Sequence, residues 1–330
     1  MQPQAGADAV TANEPVSIQE AEAFLAEHPE IHFIDLLIAD MNGIVRGKRI
    51  DRSALLKAFE KGIALPASVF ALNIQGTTVE ETGLGLEIGD ADRICLPIPG
   101  TLNIEPWQKR PTGQLLMTMY EFDRKTPFFA DPRYVLQRIV ERFKDLKLTP
   151  VSAFELEFYL FDRKLQDGLP QFPRDPLCGD EDDQPNMHIE RLSRFADVLH
   201  EIVDAANEQG VDANVITAEL GPGQFEINFG HLDDGLRAAD WAALFCRSTR
   251  GVALKHGQRA SFMSKPYLHA PGSGMHVHVS MEDGTGNIFS DPETGEARLG
   301  YAIRGLLDTM PEAHLLFVST FNGFRRMQPG

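Results

Sequence analysis

Residues 152–158 have the sequence SAFELEF, in which apolar and acidic side chains alternate. This period of two predicts a β-strand, because successive side chains of a strand point to opposite faces. Glu155 and Glu157 then share one face, roughly 6.5 to 7 Å apart along the strand. Since Glu is depleted in strands, two explanations stay open: the carboxylates face a common cavity, or they line the solvent-exposed face of a half-buried sheet.

A second acidic strand is predicted in AELGPGQFEINF, residues 218–229. The Gly-Pro-Gly sequence predicts a turn. Alternation after the turn places Glu226 and Asn228 on the face opposite the phenylalanines. Glu219 stands across the turn, within reach of Glu226. A solvated turn without a functional role is the alternative.

Two histidines alternate with apolar residues in GSGMHVHVS, residues 272–280. His276 and His278 share one face of this third predicted strand, beside a glycine-rich turn. They are candidates for metal ligands or phosphate contacts. The alternative is that they are hydrogen-bonded histidines of a core.

Together, the three segments offer four glutamates and a histidine. A donor set dominated by oxygen favours Mg²⁺ or Mn²⁺ over zinc or copper, and a pair of such cations is a known device for clamping phosphates. The sequence contains neither a P-loop nor a Rossmann glycine motif. Nucleotide binding would therefore need a different cradle.

The composition is that of a globular protein long enough for two domains, with 330 residues, 43% of them hydrophobic and 24% charged. The formal net charge of −17 argues against a nucleic-acid-binding protein, because phosphate contacts need clustered Lys and Arg. The cysteines Cys95, Cys178 and Cys246 form no Cys-x-x-Cys pair. With no signal-like start and no long apolar run, we expect a cytoplasmic protein that does not enter membranes.

Capping and turn signals predict the remaining elements. Ser17 and Glu20 predict a reciprocal capping box at the start of a helix that ends near Glu27. The Asn-Gly pair at residues 42–43 predicts a hairpin in which this pair supplies the positive φ angles. Further helices are predicted at residues 53–61, 131–146, 189–207 and 234–255. A solvated surface loop is predicted around the acidic run at residues 180–183, with a metal-binding acidic cluster as the alternative.

The order of these motifs is similar to that of the glutamine synthetase family. The sequences FELEF, ELGPGQFE, Lys265-Pro266, GSGMHVH and the last nine residues follow one another as they do in that family. The resemblance covers nearly the whole chain and implies an α+β protein that forms homo-oligomeric rings with active sites between subunits. It implies a small β-grasp domain at residues 17–115 and a catalytic domain with a curved antiparallel sheet at 116–330, and the residues ahead of the first helix, 1–16, are predicted to form a flexible tail.

The resemblance also implies roles for individual residues. It assigns the ligands of a first Mg²⁺ or Mn²⁺ ion to three carboxylates: Glu157, Glu219 and Glu226. It assigns the ligands of a second ion to Glu155 and His276. It assigns contacts with ATP to His278 and Ser280. It assigns the glutamate substrate to Gly272 and Arg326, of which Arg326 is also the catalytic candidate.

The activity implied is ATP-dependent ligation of the glutamate γ-carboxylate to an amine through γ-glutamyl phosphate. Residues 65–69 read LPASV where ammonia-using members have an Asp-Gly-Ser-Ser loop whose aspartate holds ammonium, and residues 271–274 read PGSG where those enzymes have Asn-Gly-Ser-Gly. Both differences favour the γ-glutamylpolyamine synthetase branch, with putrescine or another alkyl amine as substrate. Glutamine synthesis from ammonia and a non-catalytic structural or regulatory role are the alternatives.

The C-terminal end carries a further expectation. Family members continue beyond the position of residue 330, and the resemblance assigns to that part a flap glutamate, phosphate-binding arginines and another ligand of the second metal. We therefore expect this chain to be an incomplete catalytic unit with weak binding at the second metal site and little turnover. The alternative is a natural short paralogue without activity.

Overall fold

The computed structural model describes residues 17–166, 168–174, 176 and 186–327. They form two compact units: one runs to Glu141 and includes Glu208–Gly210, and the other comprises Arg142–Asn207 and the chain from Val211 onward. Helices are mixed with two sheets, so the predicted α+β class is confirmed. Three predicted features lie outside the described residues: the tail at 1–16, Cys178 and the acidic loop at 180–183.

The first unit is built on a six-stranded sheet. Its helices and strands are α1 Ile18–Glu27, β1 Phe33–Ala39, β2 Val45–Asp51, α2 Leu55–Lys61, β3 Ile63–Pro66, β4 Asp92–Pro97, β5 Asn103–Ile104 and β6 Thr112–Tyr120, followed by α3 Pro132–Asp145, whose residues from Arg142 onward belong to the second unit. The strand order is β2-β1-β6-β4-β3, and the short β5 also pairs with β6. Strands β1 and β6 are parallel, and the other pairs are antiparallel.

The predicted hairpin between β1 and β2 is confirmed, with one correction to its turn. The Asp40 carboxylate accepts hydrogen bonds from the backbone N–H groups of Asn42 (2.8 Å) and Ile44 (2.9 Å) and from Arg46 Nε (3.0 Å). Gly43 has a φ of 69°, whereas the φ of Asn42 is not positive. Because the aspartate side chain holds the turn, only the glycine needs the left-handed conformation.

Helix α1 begins at the predicted residue, but its capping box is not reciprocal. Ser17 Oγ accepts a hydrogen bond of 3.2 Å from the Gln19 N–H, as an N-cap should. The Glu20 carboxylate instead accepts a hydrogen bond of 3.1 Å from the N–H of Gly100. The Glu20 carboxylate thus bonds the distant Gly100 N–H and not the N–H of Ser17 that a capping box requires. The sequence pattern does not predict this distant partner.

Strand β6 crosses residue 115, where the sequence places the end of the first domain. It pairs with β1 over Phe33–Leu37 and stays within the first unit, which continues to Glu141. The Asp131 side chain caps the following helix as predicted, since it accepts a hydrogen bond of 2.9 Å from the Arg133 N–H. The assignment of these segments to separate functional domains stays a prediction.

The second unit contains a five-stranded antiparallel sheet. Its elements are β7 Thr149–Asp162, α4 Ile189–Arg194, α5 Ala196–Glu208, β8 Ala213–Ala218, β9 Gln224–Phe229, α6 Gly235–Lys255, β10 Gln258–Ser261, β11 Met275–Glu282, α7 Gly295–Phe317 and α8 Phe321–Arg326. The strand order is β10-β7-β9-β8, and β11 also pairs with β7. Within the described part of the chain, no helix is long and apolar enough to cross a membrane.

The apolar face of β7 packs into an aromatic core. The ring of Phe158 lies 6.3 Å from Phe225, 6.2 Å from Phe245 and 5.6 Å from Phe262, measured between centroids. The helix predicted at residues 189–207 is broken at Phe195, whose buried ring lies 5.2 Å from Phe225. This packing fixes one face of β7 inside the unit, so that the other face carries the acidic residues.

Candidate active site

Strand β7 forms the centre of the site because it pairs with β9 on one edge and with β11 on the other. The register places Glu157 opposite Glu226, and it places Glu155 opposite both Asn228 and His276. Residues directly opposite each other share a face, with Cβ atoms about 4.5–5.5 Å apart. The polar faces of the three predicted strands therefore form one surface.

Glu155 lies where the two histidines meet. Its carboxylate oxygens lie 3.2 Å from His276 Nδ1 and 3.0 Å from His278 Nε2, and one accepts a hydrogen bond of 2.7 Å from Asn228 Nδ2. Burial raises the pKa of this carboxyl group, but the contacts with His278, His276 and Asn228 outweigh burial and lower its pKa below the ordinary value. Glu155 is therefore an anion at neutral pH.

Glu226 has the opposite electrostatic environment. Its side chain is only 12% exposed, and its carboxylate lies 3.9 Å from His276 Nδ1. Burial, followed by the charges of Glu155, Glu219 and Glu157, raises the pKa of Glu226 to about 7. Burial and the charge of Glu157 also raise the pKa of Glu219. The four carboxylates therefore crowd one another, and a proton or a metal cation would neutralise the excess charge.

Three of these side chains offer ligand atoms that all lie within 4.8 Å of one another: Glu155, Glu226 and His276. The resemblance divides the ligands between two ions and assigns Glu226 to the first, whereas the structure places Glu226 beside the ligands assigned to the second. Electrostatic coupling also joins Glu157 and Glu219 to this group. All five predicted metal ligands thus belong to one group, the carboxylate cluster, which consists of Glu155, Glu157, Glu219, Glu226 and His276.

The Gly272–Gly274 turn packs against Arg326. A Cβ atom added to Gly272 would lie 2.9 Å from Arg326 Cγ, and one added to Gly274 would lie 3.3 Å from Arg326 Nη2. The added atom on Gly274 would also lie 2.7 Å from Glu157 Oε1. An added Cβ on Gly272 would also lie 2.6 Å from the Ser264 carbonyl oxygen, so the backbone itself leaves no room for a side chain at that position. The guanidinium group of Arg326 and the carboxylate of Glu157 meet at this one turn.

Helix α8, which carries Arg326, is held in place by Asn322. The Asn322 side chain accepts a hydrogen bond from the Lys265 N–H and donates one to the Lys265 carbonyl oxygen, each 2.8 Å long. One residue before Lys265, the Ser264 carbonyl accepts a hydrogen bond of 2.9 Å from the Ser273 N–H. The same loop therefore fixes the helix and the glycine turn.

The two predicted ATP contacts are placed differently. His278 belongs to the surroundings of Glu155, as described above. Ser280 is half-buried and lies opposite Val151 on the same face of β11. It is four residues, or about 13 Å, from His276 along the strand. The structure thus brings His278 to the carboxylates and leaves Ser280 farther along β11.

Sequence reasoning did not single out Gln224. The Gln224 Nε2 donates a hydrogen bond of 2.8 Å to Glu157 Oε2 and one of 3.1 Å to the Gly272 carbonyl oxygen. A signal was available, because alternation places Gln224 on the same face of its strand as Glu226 and Asn228.

Two further buried residues near the site gave no sequence signal. Tyr159 Oη donates a hydrogen bond of 2.8 Å to the Pro271 carbonyl oxygen. The Arg191 guanidinium group donates to the Glu219 carbonyl oxygen at 2.5 Å and to that of Gly221. Their partners are determined by the tertiary fold, since Tyr159 and Pro271 are 112 residues apart.

Comparison with known proteins gives concordant matches. Residues 129–330 match the family described as "Glutamine synthetase, catalytic domain". The chain is 42% identical over 316 residues to Gamma-glutamylputrescine synthetase PuuA of Escherichia coli (strain K12), which covers 94% of this chain and 66% of that protein. It is 28% identical over 312 residues to Glutamine synthetase of Thermotoga maritima, which covers 93% of this chain and 66% of that protein.

A solved structure is also similar. The chain matches the structure described as "GmaS/ADP complex-Conformation 1" with a TM-score of 0.76 and 28% identity, covering 93% of this chain and 67% of that one. The chain therefore spans about two thirds of the length of these relatives.

Proposed function

The chain belongs to the glutamine synthetase family, and on that premise we propose that it acts as an ATP-dependent glutamate–amine ligase of the EC 6.3.1 type. The observation that carries this proposal is the carboxylate cluster, in which burial and three neighbouring carboxylates raise the pKa of Glu226 to about 7. A scaffold protein gains nothing from such crowded charges, whereas an enzyme that neutralises phosphates with cations needs them.

The carboxylate cluster fits divalent cations of the Mg²⁺ or Mn²⁺ type. Most of its metal-ligating atoms are oxygens, and a bound divalent cation would neutralise its uncompensated negative charge. Glu157, Glu219 and Glu226 would hold one ion. Glu155 and His276 would hold a second. When bound, the ions would supply positive charge to the phosphate oxygens of ATP.

Other residues of the chain would bind the substrates. Arg326 presents a planar guanidinium group, which suits a carboxylate in two parallel hydrogen bonds, beside the Gly272 turn. The glutamate substrate would therefore bind at this turn. His278 and Ser280 lie on the same face of β11 and would contact ATP.

The proposed reaction has two steps. First, a γ-carboxylate oxygen of glutamate forms a bond to the terminal phosphorus of ATP, and ADP leaves. Then the amine nitrogen forms a bond to the γ-carbonyl carbon, inorganic phosphate leaves, and a nearby acceptor takes the amine proton. Arg326 would hold the substrate carboxylate and offset negative charge that develops beside it.

We infer an alkyl amine such as putrescine rather than ammonium. Residues 65–69 carry no carboxylate, and Leu65, Ala67 and Val69 are buried in the core of the first unit. The relative at 42% identity is a putrescine ligase by name, whereas the Thermotoga maritima glutamine synthetase is 28% identical. Cytoplasmic location and ring assembly with shared active sites stay predictions from the sequence.

Phosphate release from ATP tests the proposed function. We would compare putrescine with ammonium, each with glutamate and Mg²⁺, for this chain and for the chain extended by the C-terminal segment of the Escherichia coli relative. For the extended chain we expect glutamate-dependent release with a kcat/KM at least about 100-fold higher for putrescine, because a site built for a larger polar substrate rejects one that leaves its groups unpaired. Glu226→Gln is the inactive control.

Two results would contradict this proposal. A preference for ammonium would favour glutamine synthesis. If neither form released phosphate or bound Mn²⁺, a non-catalytic role would be favoured.

A further inference from the structure

Gln224 links three parts of the site through a single amide group. Its Nε2 donates to Glu157 Oε2 and to the Gly272 carbonyl oxygen, and its Oε1 accepts a hydrogen bond of 2.9 Å from the Gly221 N–H. The residue is only 1% exposed, so water does not compete for these hydrogen bonds. Donors and acceptor are all in use, which fixes the orientation of the amide.

The groups on either side of this amide are also held by buried residues. Tyr159 Oη donates to the carbonyl of Pro271, next to Gly272, and it lies so close to Gly221 that a Cβ atom there would be 2.0 Å away. Arg191 is fully buried and donates to the Gly221 carbonyl. Within this network, Gln224 donates a hydrogen bond directly to a carboxylate of the cluster, that of Glu157.

We propose that Gln224 is a positioning residue that couples cation binding at Glu157 to glutamate binding at the Gly272 turn. The inference rests on the proposed function, which places the cation and the glutamate at these two points. Gln224 occupies one carboxylate oxygen of Glu157, and the other oxygen, Oε1, lies beside Gly274. The NH₂ group of Gln224 donates to both the Glu157 carboxylate and the Gly272 carbonyl oxygen. A cation that orders the Glu157 carboxylate therefore also orders the Gly272 turn.

Such coupling is reciprocal. If the bound cation raises the affinity for glutamate by some factor, bound glutamate raises the affinity for the cation by the same factor. The mutant Gln224→Met removes the amide with little change in volume. Gln258→Met is the matched control, because Gln258 is buried in the same unit (9% exposed) and its Oε1 has no hydrogen-bond partner among the described residues. Neither change removes a predicted metal ligand.

Electron paramagnetic resonance of free Mn²⁺ measures the affinity with and without saturating glutamate, and the ratio of the two dissociation constants is the coupling. We expect a ratio of at least about 5 for the wild type and for Gln258→Met. For Gln224→Met we expect a ratio near 1 and Mn²⁺ affinity weakened by about 10-fold. A residue that only supported the fold would weaken binding without changing the ratio.

The outcomes separate this inference from the proposed function. An unchanged ratio in folded Gln224→Met overturns the inference and leaves the proposed function standing. A wild-type chain that binds no Mn²⁺ overturns both. Circular dichroism and thermal unfolding check that the mutant folds. If it does not, Gln224→Asn takes its place, because its shorter side chain keeps the amide but does not reach both partners; loss of coupling supports the inference, and unchanged coupling refutes it.

Discussion

Buried acids have different surroundings in the two units. In the first, Asp131 is 2% exposed, and its carboxylate accepts hydrogen bonds from the Met119 N–H, Thr118 Oγ1 and the Arg133 N–H. In the second, Glu226 faces other carboxylates. Burial raises the pKa of both acids. A raised pKa therefore does not by itself identify a functional acid: hydrogen-bond donors around it indicate a structural role, and like charges indicate a binding site.

The largest expected effect is on Mn²⁺ affinity, and it distinguishes Glu226, a predicted metal ligand, from Glu282, an acid that lies on the same sheet. Glu226→Gln should weaken Mn²⁺ binding by about 100-fold, which corresponds to about 2.7 kcal/mol, because it removes a charged ligand. Glu282→Gln, at the exposed end of β11, is the control and should bind Mn²⁺ normally. Titration with Mn²⁺ measures both, and equal affinities would remove Glu226 from the site.

The next effect concerns the structural acid. Asp131→Ala leaves the Met119 N–H and the Thr118 hydroxyl without their acceptor, so the free energy of unfolding should fall by about 2 kcal/mol. Asp145→Ala, at the exposed end of α3, should change it little. Urea denaturation measures the loss. Mn²⁺ affinity should stay unchanged in both mutants, and a folded Asp131→Ala protein that no longer binds Mn²⁺ would contradict the comparison.

The smallest effect is a pH dependence of the metal-free protein. The pKa of Glu226 is raised from 4.5 to about 7 on folding, so the folded state binds this proton more tightly. The resulting stabilisation is complete below about pH 4.5 and is lost as the pH rises through about 7. Screening by solvent limits it to on the order of 1 kcal/mol. The lowered pKa of Glu155 acts below pH 4.5, outside this window.

Thermal unfolding in a chelator between about pH 5 and 8 measures this dependence. We expect the wild type to lose stability across that range and Glu226→Gln to show a flatter profile, because the mutant lacks one titrating group and keeps the other, Glu219, whose pKa is also raised. Added Mn²⁺ should restore the wild type at the upper end of the range. Identical profiles for the two proteins would show that the charge of Glu226 is already compensated.

The sequence predicts elements whose causes are local. The alternation in β7 and β9, the Asp131 cap and the turn at Gly43 all depend on residues close together in the chain, and the structure has each of them. The cap partner of Glu20 could not be predicted, because Gly100 is 80 residues away. Tyr159 and Arg191 were missed for the same reason. Gln224 could have been found from its strand face, although its partners could not.

The pairing of β11 with β7 also affects the order in which the protein is assembled. Glu157 and Gln224 are separated by 67 residues, whereas Glu155 and His276 are separated by 121. Contacts between distant residues form slowly, because a longer chain must be ordered before they are made. During synthesis, β7 and β9 emerge from the ribosome before β11. The acidic half of the site is therefore available to form first, and the imidazole of His276 joins it only when β11 docks.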